Sequence, residues 1–109
     1  MIEYGIVITL LAIHTFADFI CQSDEMAIKK SDSLTYLSLH TLIYSMFFIV
    51  YGIYFALATF VAHWCVDYCA SRINKVLWEQ EERHWFFVVI GIDQFIHITT
   101  LLLTYKLLN

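Results

Sequence analysis

LTYLSLHTLIYSMFFIVYGIYFALATFVAHWCVDYCASRINKV, residues 34–76, decides the fold. It is almost unbroken apolar sequence, and too long for one membrane crossing of about 20 residues. Gly52, within Tyr51-Gly52-Ile53-Tyr54, permits a tight turn that would split it. Two helices are therefore expected, over about 34–51 and 54–76. Outward from this stretch, residues 2–22 and 85–107 are apolar to a similar degree. The expected fold is all-α: a polytopic membrane protein with a single domain over residues 1–109, built as a four-transmembrane-helix bundle.

The composition agrees with burial in lipid. Of 109 residues, 61% are hydrophobic and 15% charged, where a soluble domain has roughly half and a quarter. A soluble fold this small hides only about 60% of the surface its unfolded chain exposes. Proline is absent and glycine occurs three times, so little punctuates long helices. A formal charge of −4 with no basic stripe argues against nucleic acid as a partner. Cys21, Cys65 and Cys69 fit no zinc or redox spacing and read as small buried hydrophobes. Met1-Ile2-Glu3-Tyr4 has no basic leader, so the first apolar stretch is expected to be a retained helix and not a signal peptide.

Two polar connections, residues 23–33 and 78–84, fall on the same side of such a bundle, with Ser33 placed to cap the second helix. Lys29, Lys30, Arg72, Lys75 and Arg83 share that side, against Lys106 alone on the other. The excess of basic residues puts the polar loops in the cytoplasm and both termini outside. Trp78 and Trp85 flank the second loop as interfacial anchors.

Each apolar stretch also carries side chains that lipid penalises. These are His14 and Asp18, then His40, then His63 and Asp67, then Asp93 and His97. Three carboxylates at mid-membrane carry a combined penalty of roughly 8–10 kcal/mol unless something offsets it. His14/Asp18, His63/Asp67 and Asp93/His97 are each four residues apart, one turn along a single helix face. Counted from the loop end at 1.5 Å per residue, all seven fall at overlapping depths of roughly 6–20 Å. One such pair is most simply a helix–helix hydrogen bond; three pairs and His40 at matched depth point to one site. Cys65 and Cys69 lie about 200° around the helix from His63 and Asp67, outside that site. His84 reads as a solvated loop residue, and Tyr44, one turn below His40, as either core or a hydrogen-bond donor to the site.

Imidazole and carboxylate without thiolate suit a divalent transition metal: zinc first, or iron, manganese or nickel. Seven candidates exceed the four ligands of one tetrahedral zinc, so either two ions share an aspartate or one is bound and the rest support it. His14, Asp18, His63, Asp67, Asp93 and His97 are the expected ligands, and the unpaired His40 the expected general acid or base.

His14-Thr-Phe-Ala-Asp18-Phe-Ile-Cys-Gln22-Ser-Asp24-Glu-Met26-Ala27 resembles the opening signature of a family of small bacterial and phage membrane proteins, domain of unknown function 3307. His40 with Tyr44, His63 to Asp67-Tyr68, and Asp93-Gln94 to His97 resemble its later motifs, in order, over nearly the whole chain. Family members often have lysine where this chain has Ala70, while Arg72 is kept. The resemblance implies the bacterial inner membrane. The histidine and aspartate pattern is more distantly similar to membrane-bound metal-dependent hydrolases, an analogy of motif.

The function expected from the sequence is metal-dependent hydrolysis of a phosphoester or phosphoanhydride near the cytoplasmic leaflet. Gln22, Lys29, Lys30 and Arg72 would meet an anionic headgroup at the mouth, although for Lys29 and Lys30 membrane orientation alone accounts for the charge. Membrane lipid is the expected partner, with a homo-oligomer as a further expectation. Two alternatives stand beside it: proton or divalent-metal transport along a polar bundle, and a non-catalytic membrane partner whose metal is structural. The orientation has its own test. With native cysteines removed, a cysteine at Ser31 is expected to resist an impermeant thiol reagent added to intact cells; ready labelling would reverse the topology.

Overall fold

The computed structural model describes residues 2–109; Met1, part of the expected domain 1–109, lies outside the described residues. The chain is 85% helix, with no strand among the described residues. Helix α1 covers Tyr4–Thr15 and continues as a π-helical turn over Phe16–Ile20. Next come α2 (Asp24–Lys29), α3 (Leu34–Met46), a 3-10 turn (Ile49–Tyr51), α4 (Ile53–Glu79) and α5 (Arg83–Leu108).

The four apolar stretches expected from the sequence are all helical, but their lengths differ. At 27 and 26 residues, α4 and α5 are long and apolar enough to cross a membrane. The first stretch stops at Ile20 and α3 is only 13 residues long, so both fall short of the expected 2–22 and 34–51. The π turn closes through Cys21 N–H to Phe16 C=O at 3.0 Å, one residue wider than an α turn. Gly52 makes the corner between α3 and α4 at φ +116°, which only glycine adopts without strain.

The first polar connection contains a helix that the sequence reading left as loop. Ser23 Oγ accepts the Met26 N–H at 3.1 Å, and Asp24 and Glu25 occupy the first turn, where the helix dipole favours acids. Met26 is buried and anchors this turn to the bundle. Ser33 then caps α3 through the Tyr36 N–H, as expected.

The antiparallel pair α4 and α5 forms the main interface, with α3 against α4 and α1 against α5. Leu10, Phe48, Phe55 and Leu101 fill the end of the bundle where the termini lie. Tyr51 and Tyr105 meet Phe55 edge to face there, at centroid distances of 5.7 and 6.0 Å. Towards the other end the interior turns polar: His14, Asp18, His40, His63, Asp67 and His97 are all buried. The outside is apolar, with Ile8, Ile20, Val50, Phe87, Phe95 and Leu107 more than half exposed.

Between α4 and α5, the Glu82 N–H bonds Leu77 C=O at 2.9 Å and the Glu81 N–H bonds Trp78 C=O at 3.1 Å. This paired closure puts Glu81 at φ 59°, the left-handed position where glycine is usual. Relieving that strain through Glu81→Gly is expected to stabilise the protein by about 1 kcal/mol. Thermal unfolding in detergent measures it, and an unchanged or lower midpoint contradicts the strain argument.

Candidate metal centre

Asp67, half-way along α4, gathers the site. Its Oδ2 lies 3.2 Å from His40 Nε2 on α3 and 3.4 Å from His63 Nε2 one turn back on α4. Its Oδ1 lies 2.9 Å from His97 Nε2 on α5. Asp18, in the π turn, brings Oδ1 to 3.0 Å from His40 Nε2 and 3.2 Å from His63 Nε2. The two imidazole nitrogens are themselves 3.1 Å apart.

Hydrogen bonds cannot satisfy this group pairwise. His40 Nε2 has three partners within 3.2 Å, and an imidazole nitrogen offers one proton or one lone pair. A single cation among Asp18, His40, His63 and Asp67 would satisfy all four donor atoms together. Tetrahedral bonds of about 2.0–2.1 Å put neighbouring ligand atoms roughly 3.3–3.4 Å apart, close to the separations seen. These four buried residues form one group able to hold a metal ion; Asp67, Asp93 and His97 form a second.

The aromatic faces hold the imidazoles in place. Tyr44 stacks on His63 at 3.9 Å, and His63 stacks on His97 at 4.0 Å. His63 Nδ1 is buried without a partner. Its Nε2 faces the carboxylates of Asp18 and Asp67. Beside it a cavity of about 10 Å³ is lined by Tyr44, Thr59, His63, His97 and Thr100, space on the scale of one water.

His40 joins the first group, and His14 stands outside both. His40 was set aside as an acid or base, yet it sits inside the first group and is 1% exposed, beneath the cleft and not on its wall. His14 was expected to ligate, yet it belongs to neither group. Its Nδ1 lies 2.7 Å from the Tyr44 hydroxyl and its Nε2 2.8 Å from Gln94 Oε1. The reason is the π turn: it directs Asp18 across the bundle to α3 and α4, leaving His14 Nε2 3.9 Å from Asp18 Oδ2.

Gln94, quoted within the family motif, was given no role, although it is another polar group in an apolar stretch. Its amide nitrogen donates to Asp18 Oδ2 and to Asp93 Oδ2, each at 3.2 Å. A continuous chain therefore runs from the Tyr44 hydroxyl through His14 to Gln94 and on to the carboxylates of Asp18 and Asp93. Tyr44 is thus both part of the buried core and hydrogen-bonded to the site.

A cleft of about 620 Å³ opens onto this centre from the end that carries the polar connections. Asp18, Asp67, Asp93 and Gln94 contribute to it, with Gln22, Lys30, Ser71, Asn74 and Lys75 also lining it. Lys30 Nζ donates to Asp67 Oδ2 at 3.0 Å. Lys29 and Arg72 do not reach the cleft: Lys29 pairs with Glu25 at 2.7 Å, and Arg72 lies over the Tyr68 ring at 3.8 Å. Bonds from Lys29 first, then Tyr36, hold the Glu25 carboxyl below its usual range. Cys65 and Cys69 are exposed, on the face away from the site, and His84 is exposed in the first turn of α5.

The family of proteins of unknown function designated DUF3307 matches residues 6–109. The chain belongs to this family. No curated protein and no solved structure matches it. The polar layer of this DUF3307 protein therefore has to be read from its own geometry.

Replacing Gln94 by Leu would strip Asp18 Oδ2, Asp93 Oδ2 and His14 Nε2 of a shared partner. Metal affinity is then expected to fall about 10–100-fold with the helical fold retained. Chelator competition and circular dichroism measure the two; undiminished affinity would show that Gln94 does not position the ligands.

Proposed function

We propose that this protein is a membrane-embedded, metal-dependent hydrolase of phosphoesters or phosphoanhydrides, reached from the loop end of the bundle. The observation that carries the reading is a buried set of two imidazoles and two carboxylates directly below an open cleft. The donor set favours zinc, with manganese, iron and nickel as alternatives.

The proposed setting is a bundle of four membrane crossings, of which α4 and α5 are long and apolar enough to cross unaided. The longest dimension, 43 Å, is close to the roughly 40–45 Å of a bilayer with its headgroup regions. In α5, only 11% of the most apolar stretch is buried within the protein, unlike the core helix of a soluble fold. The shorter first helix and α3 would cross with the help of their flanking turns, giving loops on the cytoplasmic side of a bacterial inner membrane.

A divalent cation held in this layer with one position open to the cleft would polarise a phosphoryl oxygen and make a nearby water a better nucleophile at neutral pH. The chain's own groups set up the rest. Lys30 faces both Asp67 and the cleft, placing an ammonium where a phosphoryl group would carry negative charge. Lys75 lines the same cleft and pairs with Asp32. Apolar Phe19, Ile28 and Phe86 on the wall suit an acyl or isoprenoid chain. Hydrolysis then joins water oxygen to phosphorus, breaks the bond from phosphorus to the leaving oxygen, and returns a proton to that oxygen.

Conduction through one copy is disfavoured by the packing of Leu10, Phe48, Phe55 and Leu101, which closes the far end. The test is metal content and phosphate release from phosphatidic acid and lipid diphosphates, measured on one chelator-free preparation. Turnover is expected to vanish with chelator and return with zinc or manganese. Lys30→Met is expected to lower turnover about 10–100-fold, the worth of a bond to a charged group, with metal content unchanged. Bound metal without turnover would favour a structural-metal partner; absence of metal would favour conduction.

A further inference from the structure

The carboxylate of Asp67 is approached from two sides. Oδ2 faces His40 and His63, while Oδ1 faces His97, which in turn lies 3.0 Å from Asp93 Oδ1. The two ligand groups share this residue and no other. A carboxylate with each oxygen directed to a different donor set has the geometry of a bridge. We propose that the site holds two divalent cations joined by Asp67, an inner one closed by four protein ligands and an outer one open to the cleft. This deepens the metal-dependent reading and rests on it.

The two positions differ in the way that separates structural from catalytic metal sites. The inner group supplies four donor atoms, and all four residues are buried. Four protein ligands complete a tetrahedron and leave no open position. The outer group supplies three: Asp67 Oδ1, Asp93 Oδ1 and His97 Nε2. Three protein ligands and one free position is the arrangement of a catalytic ion. Asp67 and Asp93 line the cleft, so the free position faces the space a substrate would enter.

A second, independent observation lies at Asp93. Its Oδ1 is buried and has no hydrogen bond: His97 Nε2 is near enough but out of line, while Gln94 takes Oδ2. An oxygen so placed, one carboxylate away from an already convergent set, is free to ligate a cation. Charge points the same way. Asp18, Asp67 and Asp93, when ionised, outweigh Lys30 by two negative charges. Two divalent ions would reverse that excess to two positive charges, which a phosphate dianion would neutralise. One ion alone would leave the site neutral, with no net attraction for an anion.

The experiment uses full-length protein in detergent, loaded to saturation with Zn²⁺ for elemental analysis and with Mn²⁺ for electron paramagnetic resonance. Two ions per chain are expected, and the Mn²⁺ spectrum should show exchange coupling between ions roughly 3.5–4 Å apart. Asp93→Asn and His97→Gln should each halve the count and leave the spectrum of an isolated ion. One ion per chain at saturation, with an uncoupled spectrum, overturns the bridge and leaves the hydrolase reading standing. Two ions retained in Asp93→Asn overturns the outer site. No bound ion removes the metal reading and the bridge together. Should the variants fail to fold, the wild-type count and coupling decide the matter alone.

Discussion

The structure depends on keeping one carboxylate, that of Asp67, inside an apolar bundle. An isolated carboxylate there is strongly unfavourable. It is met by Lys30 from the residue ending α2, His40 from α3, His63 from its own helix and His97 from α5. Asp18 from the π turn that ends the first helix joins through His40 and His63. The π turn, the residue after α2, and helices α3, α4 and α5 thus each place a polar group around one point. Such a layer adds little net stability, because desolvation offsets much of the attraction. Its effect is on specificity: removing one partner leaves a buried charge uncompensated, so alternative packings of these apolar helices are strongly disfavoured.

The remaining parts distribute themselves around that layer. Apolar side chains on the outside do not drive the helices together if the surroundings are lipid, since a lipid tail is as apolar as leucine. Cohesion then comes from close packing and from the polar interior. The aromatic end, with Phe48, Phe55, Tyr51 and Tyr105 in edge contacts, supplies the first. The histidine and aspartate layer supplies the second. Small hydroxyl residues do local service: Thr41, Ser45 and Thr59 are buried and satisfy themselves on carbonyls of their own helices.

Much of this was legible in the sequence because an apolar interior makes two rules strict. Long apolar stretches must be helices, and polar residues within them must converge. Gly52 marked its corner correctly for the reason that a positive φ requires. The rule on polar residues picked out every member of both groups that could hold a metal ion, His40 among them in a different expected role, and it would have found Gln94 had amides been counted with the charged groups. Roles were less legible than positions. The π turn carries no proline or glycine to betray it, and it broke the assumption that His14 and Asp18 share one regular helix face. Helix α2 did leave a signal, Ser23 ahead of Asp24 and Glu25, that was readable as a cap. No local pattern shows that Lys30 folds back onto Asp67, because that contact joins residues 37 positions apart.

Helix length explains why the centre is reachable from one end only. The first helix stops at Ile20 and α3 begins only at Leu34, while α4 continues to Glu79 and α5 starts from Arg83. At the loop end the two long helices therefore stand with less helix opposite them. The short, capped α2 covers part of that gap and delivers Lys30; the uncovered part is the cleft beside Asp18, Asp67 and Asp93. At the other end the 3-10 turn and Gly52 keep α3 and α4 tightly joined, and aromatic rings fill what remains. Unequal helices thus leave a polar layer sealed on one side and open on the other. For the hydrolysis proposed above, that asymmetry is what would admit a reactant and release products without opening a channel.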